Sequence, residues 1–236
     1  MEVVCAQAHR LGCEAILQLG DFGFWPHEDD GRAYLEVVAE LLERFQLDCF
    51  FIDGNHDNLD ALFSAQLPAA GPFRRVGPRL YYVPRAARWT WQGISFLAMG
   101  GAHSIDKHWR LANEPAPRRW WWPEELIREA DVRRALEGGP VEVLVAHDCP
   151  AGFDLGDVIL DEETERNGLV LKRIVDGTRP RLLLHGHWHR RASGWYRNSE
   201  LGFATRVEGL DIERTYERNW LLLDLLALRK SLCQGE

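Results

Sequence analysis

Cys49-Phe50-Phe51-Ile52-Asp53-Gly54-Asn55-His56-Asp57 decides how the rest of the chain is read. Four apolar residues in a row have the length of a strand buried on both faces. They break at once into a carboxylate, a glycine, an amide, an imidazole and a second carboxylate. The same sequence of events occurs three more times. Ala15-Ile16-Leu17-Gln18-Leu19 runs into Gly20-Asp21, Val141 to Ala146 into His147-Asp148, and Leu182-Leu183-Leu184 into His185-Gly186-His187-Trp188-His189. In open α/β sheets, ligands gather beyond the carboxyl ends of the strands. Four buried strands thus deliver Asp, Asn, His and His-x-His to one rim. Carboxylate, amide oxygen and imidazole together suit a borderline divalent ion such as Mn, Fe, Zn or Co. The glycines beside them let the chain turn sharply straight out of a strand.

Around these tails the chain alternates strand with helix. Leu35, Val38, Leu42 and Phe45 recur at three- and four-residue steps and predict a helix between the first two strands. Val4 to Leu11 reads as a helix ahead of the first. Another is expected to open at Pro123, a favoured first helical position, and to run to Leu136 before Gly138-Gly139. Arg79 to Met99 reads as strands, with Trp89 and Trp91 alternating, a turn at Gln92-Gly93, and Ile94, Phe96 and Ala98 alternating again. The order predicts a mixed α/β sandwich in a single domain over residues 1–236.

Composition narrows the class further. The chain has 236 residues, 46% of them hydrophobic and 27% charged, which excludes a disordered tail, a collagen-like fibre and a disulfide-stapled miniprotein. A net charge of −8 argues against global steering toward nucleic acid or an anionic membrane. Cys5, Cys13, Cys49, Cys149 and Cys233 are odd in number and form no C-x-x-C pair, so reduced thiols are expected. The start lacks a basic segment followed by an apolar stretch, and Trp220–Leu228 is far shorter than the ~20 residues of a membrane span. The expectation is a soluble, cytoplasmic protein. No acid occurs between Ala61 and Ile105, while Arg74, Arg75, Arg79, Arg85 and Arg88 do. That stretch is either a solvated face or a wall of a phosphate-binding cleft.

Gly20-Asp21, Gly54-Asn55-His56-Asp57, His147 and Gly186-His187-Trp188-His189 together resemble the signature of the calcineurin-like metallophosphoesterases. The resemblance covers residues 15–191. It implies an α/β fold of four layers, two β-sheets flanked by helices (αββα), with two divalent metal ions at the rim. It also implies hydrolysis of a phosphate monoester or diester by a metal-bound hydroxide. Carried over position by position, it makes Asp21 the bridge between the two metals. Asn55, His147 and His187 would complete the second metal's shell, and His189 would bind the first. His56 would protonate the leaving alkoxide and Asp57 would hold its imidazole in orientation.

One part of the pattern is missing. An Asp-x-His motif on a first strand should precede Gly20-Asp21. Before Asp21 the only acids are Glu2 and Glu14, and the only histidine is His9, which falls in the first predicted helix. A start downstream of that strand is expected, and with it one bound metal in place of two. Gly100-Gly101-Ala102-His103 follows a strand, so His103 or Arg110 can reach a substrate, or the segment is a simple loop. Trp120-Trp121-Trp122 is expected to pack under a helix start. Cys149 is not needed as a ligand, and His185 is expected to end its strand with a hydrogen bond. Two other functions stay open on these residues: a non-catalytic metal-binding or partner-binding module of this fold, and a nuclease. Substrate and oligomeric state are not legible here.

Overall fold

A computed structural model describes residues 1–233 apart from Pro117, Ile159 and Tyr216. Its strands alternate between two partners, and that alternation builds the layers. The first sheet contains β1 (Ala15–Gln18), β2 (Asp48–Phe51), β3 (Ala69–Ala70), β4 (Phe73–Gly77) and β5 (Leu80–Tyr82), in the order β1-β2-β5-β4-β3. The second contains β6 (Arg88–Trp91), β7 (Ile94–Met99), β8 (Val143–Ala146), β9 (Leu182–His185), β10 (Ala192–Asn198) and β11 (Phe203–Gly209), in the order β10-β11-β9-β8-β7-β6. Each sheet has a parallel centre: β1, β2 and β5 in one, and β7, β8, β9 and β11 in the other.

Successive residues of these strands point to opposite faces. Phe96, Ala98, Val143, Val145, Leu182 and Leu184 therefore pack between the sheets, together with Leu19 and Ile52 from the first sheet's strand tails. Leu97, Met99, Leu144, Ala146 and Leu183 point outward instead. They are covered by α5 (Glu129–Glu137) and α6 (Glu162–Thr178), through Val132, Ala135, Leu171, Ile174 and Val175. On the other side Cys49, Phe51, Leu80 and Tyr82 meet α1 (Glu2–Arg10) and α2 (Asp29–Phe45). The result is helix, sheet, sheet, helix. Short helices α3 (Leu59–Leu62) and α4 (Lys107–Asn113) lie in the connections, and α7 (Leu225–Cys233) follows the last strand. No helix among the described residues is long and apolar enough to cross a membrane.

The four ligand-bearing tails leave β1, β2, β8 and β9, as the apolar runs predict. The segment after Pro123 differs from expectation. Pro123–Glu125 is a single 3-10 turn, and the helix begins only at Glu129. The reason is Arg85, whose guanidinium takes the carbonyl oxygens of Leu126 at 2.8 Å and Glu125 at 3.2 Å. Carbonyls aimed at Arg85 are not available to continue a helix. α5 then starts afresh where Asp131 accepts the Arg128 N–H.

Candidate metal centre

The chain leaves β1 through Gly20 and Asp21, both left-handed, with φ of 97° and 54°. A side chain at Gly20 would strike the His147 ring 2.2 Å away, and one at Gly54 would strike the Asp21 carboxylate at 2.1 Å. Bare backbone at these two points lets the tails of both sheets close on each other. Asp21 Oδ1 accepts the His56 backbone N–H at 2.9 Å and stands 3.4 Å from His147 Nε2. His147 Nδ1 is 2.6 Å from the Leu19 carbonyl oxygen, an acceptor that fixes the proton on Nδ1 and leaves Nε2 with its lone pair facing the centre. Asn55 Oδ1 lies 3.1 Å from that Nε2. The His187 ring sits 5.1 Å from the His147 ring, and the donor atoms of Asp21, His147 and His187 all fall within 4.8 Å of one another.

Electrostatics follow from this crowding. Burial works against the Asp21 charge, but the His147 and His56 imidazoles outweigh it and hold the carboxyl well below its usual range. Burial likewise opposes a charged His147, yet Asp21 and the Leu19 carbonyl raise its pKa to about 9. Burial lowers His187 to about 4, so that ring is neutral at pH 7. A carboxylate, two imidazoles and an amide oxygen aimed at one point fit a divalent transition ion. His187 and His189 hold left-handed backbone, with φ of 63° and 49°, conformations that persist only where the surroundings enforce them.

Beside the ligands lies a second cluster. The Asn55 amide donates to Ser104 Oγ at 3.0 Å, which settles its oxygen toward the metal position, and Ser104 donates to the buried Glu125 carboxylate. Arg110, itself buried, reaches the Asn55 carbonyl at 2.7 Å and both ring nitrogens of His56 at 2.9–3.0 Å. The expected proximity of Arg110 to the site is thus present. Desolvation by the rim, reinforced by Arg110 and opposed by Asp21, lowers the His56 pKa. Ser104 and Glu125 escaped the sequence reading; the only signal was that Ser104 follows His103 directly in the loop after β7. Asp148 was also missed. It accepts the Trp188 indole N–H at 3.0 Å and the Asn167 amide at 2.7 Å, tying the His-x-His loop to α6.

Several expected roles are corrected. Asp57 does not touch the His56 imidazole. Its carboxylate accepts the backbone N–H groups of Gly54, Phe22, Gly23 and Phe24 at 2.8–3.3 Å. Burial, with Asp21 adding to it, still pushes its pKa up to about 6. His103 turns away to Asp161 and Glu163, at 3.3 and 3.5 Å. His189 is exposed and stands outside the tight Asp21–His147–His187 group, although it lines the same cavity. The arginine stretch builds no phosphate cleft: Arg79 pairs with Glu43 and Asp48, Arg85 with Asp53, and Arg88 holds the carbonyls of Ala135 and Gly139. Cys149 is buried, and that burial pushes its thiol up, so it is no ligand as it stands. Cys5, Cys13, Cys49 and Cys149 are free thiols. Trp120 stacks on Trp109 at 6.1 Å, Trp121 lies under Lys107, and Trp122 is buried beside Trp25, so the three rings form no common platform.

Two sheets enclosed by helices, with carboxylate, amide and imidazole donors converging at the strand tails, define a metal-site α/β protein of the metallo-dependent phosphatase fold. The chain belongs to the calcineurin-like phosphoesterase family, whose model it matches over residues 4–191. No curated protein matches it. One similar solved structure is a "Putative 5'-Nucleotidase from Staphylococcus aureus in complex with alpha-ketoglutarate", with 15% identity and a TM-score of 0.47. The alignment covers 89% of this chain and 42% of that one, so the chain spans less than half the length of that relative.

Proposed function

We propose that the chain hydrolyses a phosphate monoester or diester at a divalent cation held by Asp21, Asn55, His147 and His187. The observation that carries this reading is the placement of the His56–Arg110 pair against the ligand cluster. Asp21 Oδ1 binds the His56 backbone, and Arg110 binds both the Asn55 carbonyl and the His56 ring. A bound ion of this kind supplies Lewis-acid polarisation of a phosphoryl oxygen and acidifies water for attack. The residues do the rest. Arg110 offers a guanidinium fixed by Asp106 at 2.9 Å and Glu125 at 3.4 Å, poised for a phosphate oxygen. His56 is neutral in the free protein. An arriving phosphate anion favours its protonated form, and the ring then passes that proton to the leaving oxygen. His189, exposed at the rim, is assigned to a second, weaker ion position.

Screening phosphate esters with Mn²⁺ tests the reaction class. His56→Asn should lower turnover on an ester with a poor leaving group by roughly 10²–10⁴-fold, the usual worth of a general acid, with little change in metal content. Full activity in an Asp21→Asn protein would sink the reading.

A further inference from the structure

β1 is an edge strand with an unused side. Among the described residues it pairs only with β2. In that pairing Glu14 O accepts from Asp48 and Gln18 O from Ile52, so even-numbered residues face β2. The N–H and C=O groups of Ala15 and Leu17 therefore point the other way. They point into a cavity of about 570 Å³ that runs the length of β1. Val4 and Leu11 of α1 form one wall, and Leu210, Leu221 and Leu222 form the other. At the tail of β1 the same cavity reaches Asp21, His187 and His189.

These features specify an occupant. Outward backbone donors and acceptors call for another backbone, not for a lipid or an aromatic ring. Walls on both sides admit one extended strand; a second copy of this sheet brings its own covering helices, which meet those walls. Around His189 the described chain offers only that imidazole and a share of Asp21, whereas transition-metal sites ordinarily use three or four ligands. An anionic oxygen is the missing chemistry at that end.

We infer that the groove along β1 is a strand-acceptor site, which binds one extended peptide parallel to β1 with its C-terminal carboxylate at the Asp21–His189 end. Parallel pairing is what brings a C-terminus, rather than an amino group, to the tails of the strands. About six residues at ~3.3 Å each span the distance from Ala15 to Asp21. Side chains that alternate toward the two apolar walls suit β-branched residues. The carboxylate half of the inference rests on the metal-centre reading; the strand pairing does not.

The test uses the protein as it is, with the peptide Lys-Thr-Val-Thr-Val-Thr-Val carrying a free C-terminal carboxylate, and an amidated twin. Hydrogen exchange at the Ala15 and Leu17 amides should slow at least roughly tenfold on adding either peptide. N-methylation of the peptide residues that face β1 should abolish the slowing, and N-methylation of those facing away should not. With Mn²⁺ present the free acid should bind roughly tenfold tighter than the amide. Unchanged exchange at millimolar peptide would overturn the site, and equal affinities with Mn²⁺ would overturn the orientation. If calorimetry shows no Mn²⁺ binding at all, the metal-centre reading fails, while slowed Ala15 and Leu17 amides still uphold the strand site.

Discussion

Asp57 takes bonds from the N–H groups of Phe22, Gly23, Phe24 and Gly54, so its carboxylate ties the loop leaving β1 to the loop leaving β2. A buried donor left without a partner costs about 1–3 kcal/mol, and Asp57→Ala strands several together. This variant should lose roughly 3–5 kcal/mol in urea unfolding, a size reserved for broken buried networks. A protein with wild-type stability and only a displaced pH–rate profile would return Asp57 to an orienting role for His56. Glu125 carries a different signature. Burial pushes its pKa up to about 7 from an ordinary 4.5, against the pull of Ser104 and Arg110. Folding therefore favours its neutral form. The stability this gives is full below about pH 4.5 and is lost as pH rises through about 7. The loss amounts to about 3 kcal/mol at most. Glu125→Gln cannot ionise, so its stability relative to the wild type should improve between pH 5 and pH 8. Parallel urea curves at the two pH values check this, and a constant difference would contradict it.

Arg85 is the joint between elements. Its guanidinium binds Asp53 at the tail of β2 through two nitrogens, at 2.7 and 2.8 Å, and reaches the carbonyls that end the Pro123 turn. Arg85 and Asp53 are 2% and 0% exposed at their side chains, so neither charge can be rescued by water. Arg85→Met should destabilise by about 3–5 kcal/mol, the consequence of leaving one partner of a buried pair ionised and alone. Adding Asp53→Asn should recover part of that loss; a fully additive double variant would deny the coupling. The same joint explains what was and was not legible in the sequence. Strands β2, β8 and β9 could be read because burial on both faces leaves a plain apolar run, and each run ends abruptly in a ligand. The break at Leu126–Arg128 could not, since it is imposed by an arginine some forty residues earlier in the chain. Asp57 misled for a like reason: three of its four partners lie 33 to 35 residues upstream. Arg110 was named as a candidate, but its grip on the His56 ring joins positions 54 residues apart. Ligand identity is local, whereas the support of a ligand is tertiary.

The metal centre also bears on the molecule as a whole. Asp21 and Asn55 come from tails of the first sheet, and His147 and His187 from tails of the second. One ion bound by all four therefore ties the two sheets together at their open rim. The ion binds the folded chain and not the unfolded one, so it raises stability by about 4 kcal/mol at a thousandfold excess over its Kd. For a chain of this size each kcal/mol moves Tm by about 2–4 °C. Adding EDTA to Mn²⁺-loaded protein should thus lower Tm by roughly 10 °C, and Asp21→Asn should show little further drop. The stoichiometry should be one. Asp21, Asn55, His147 and His187 make a complete four-residue set, whereas the second position has His189 and a share of Asp21, too few donors to survive exhaustive dialysis. Elemental analysis after dialysis measures this directly. One ion per chain, released together with the Tm gain, is the expected result. Two retained ions would mean that a donor from elsewhere in the fold reaches His189, and a Tm indifferent to EDTA would mean that no ion joins the sheets.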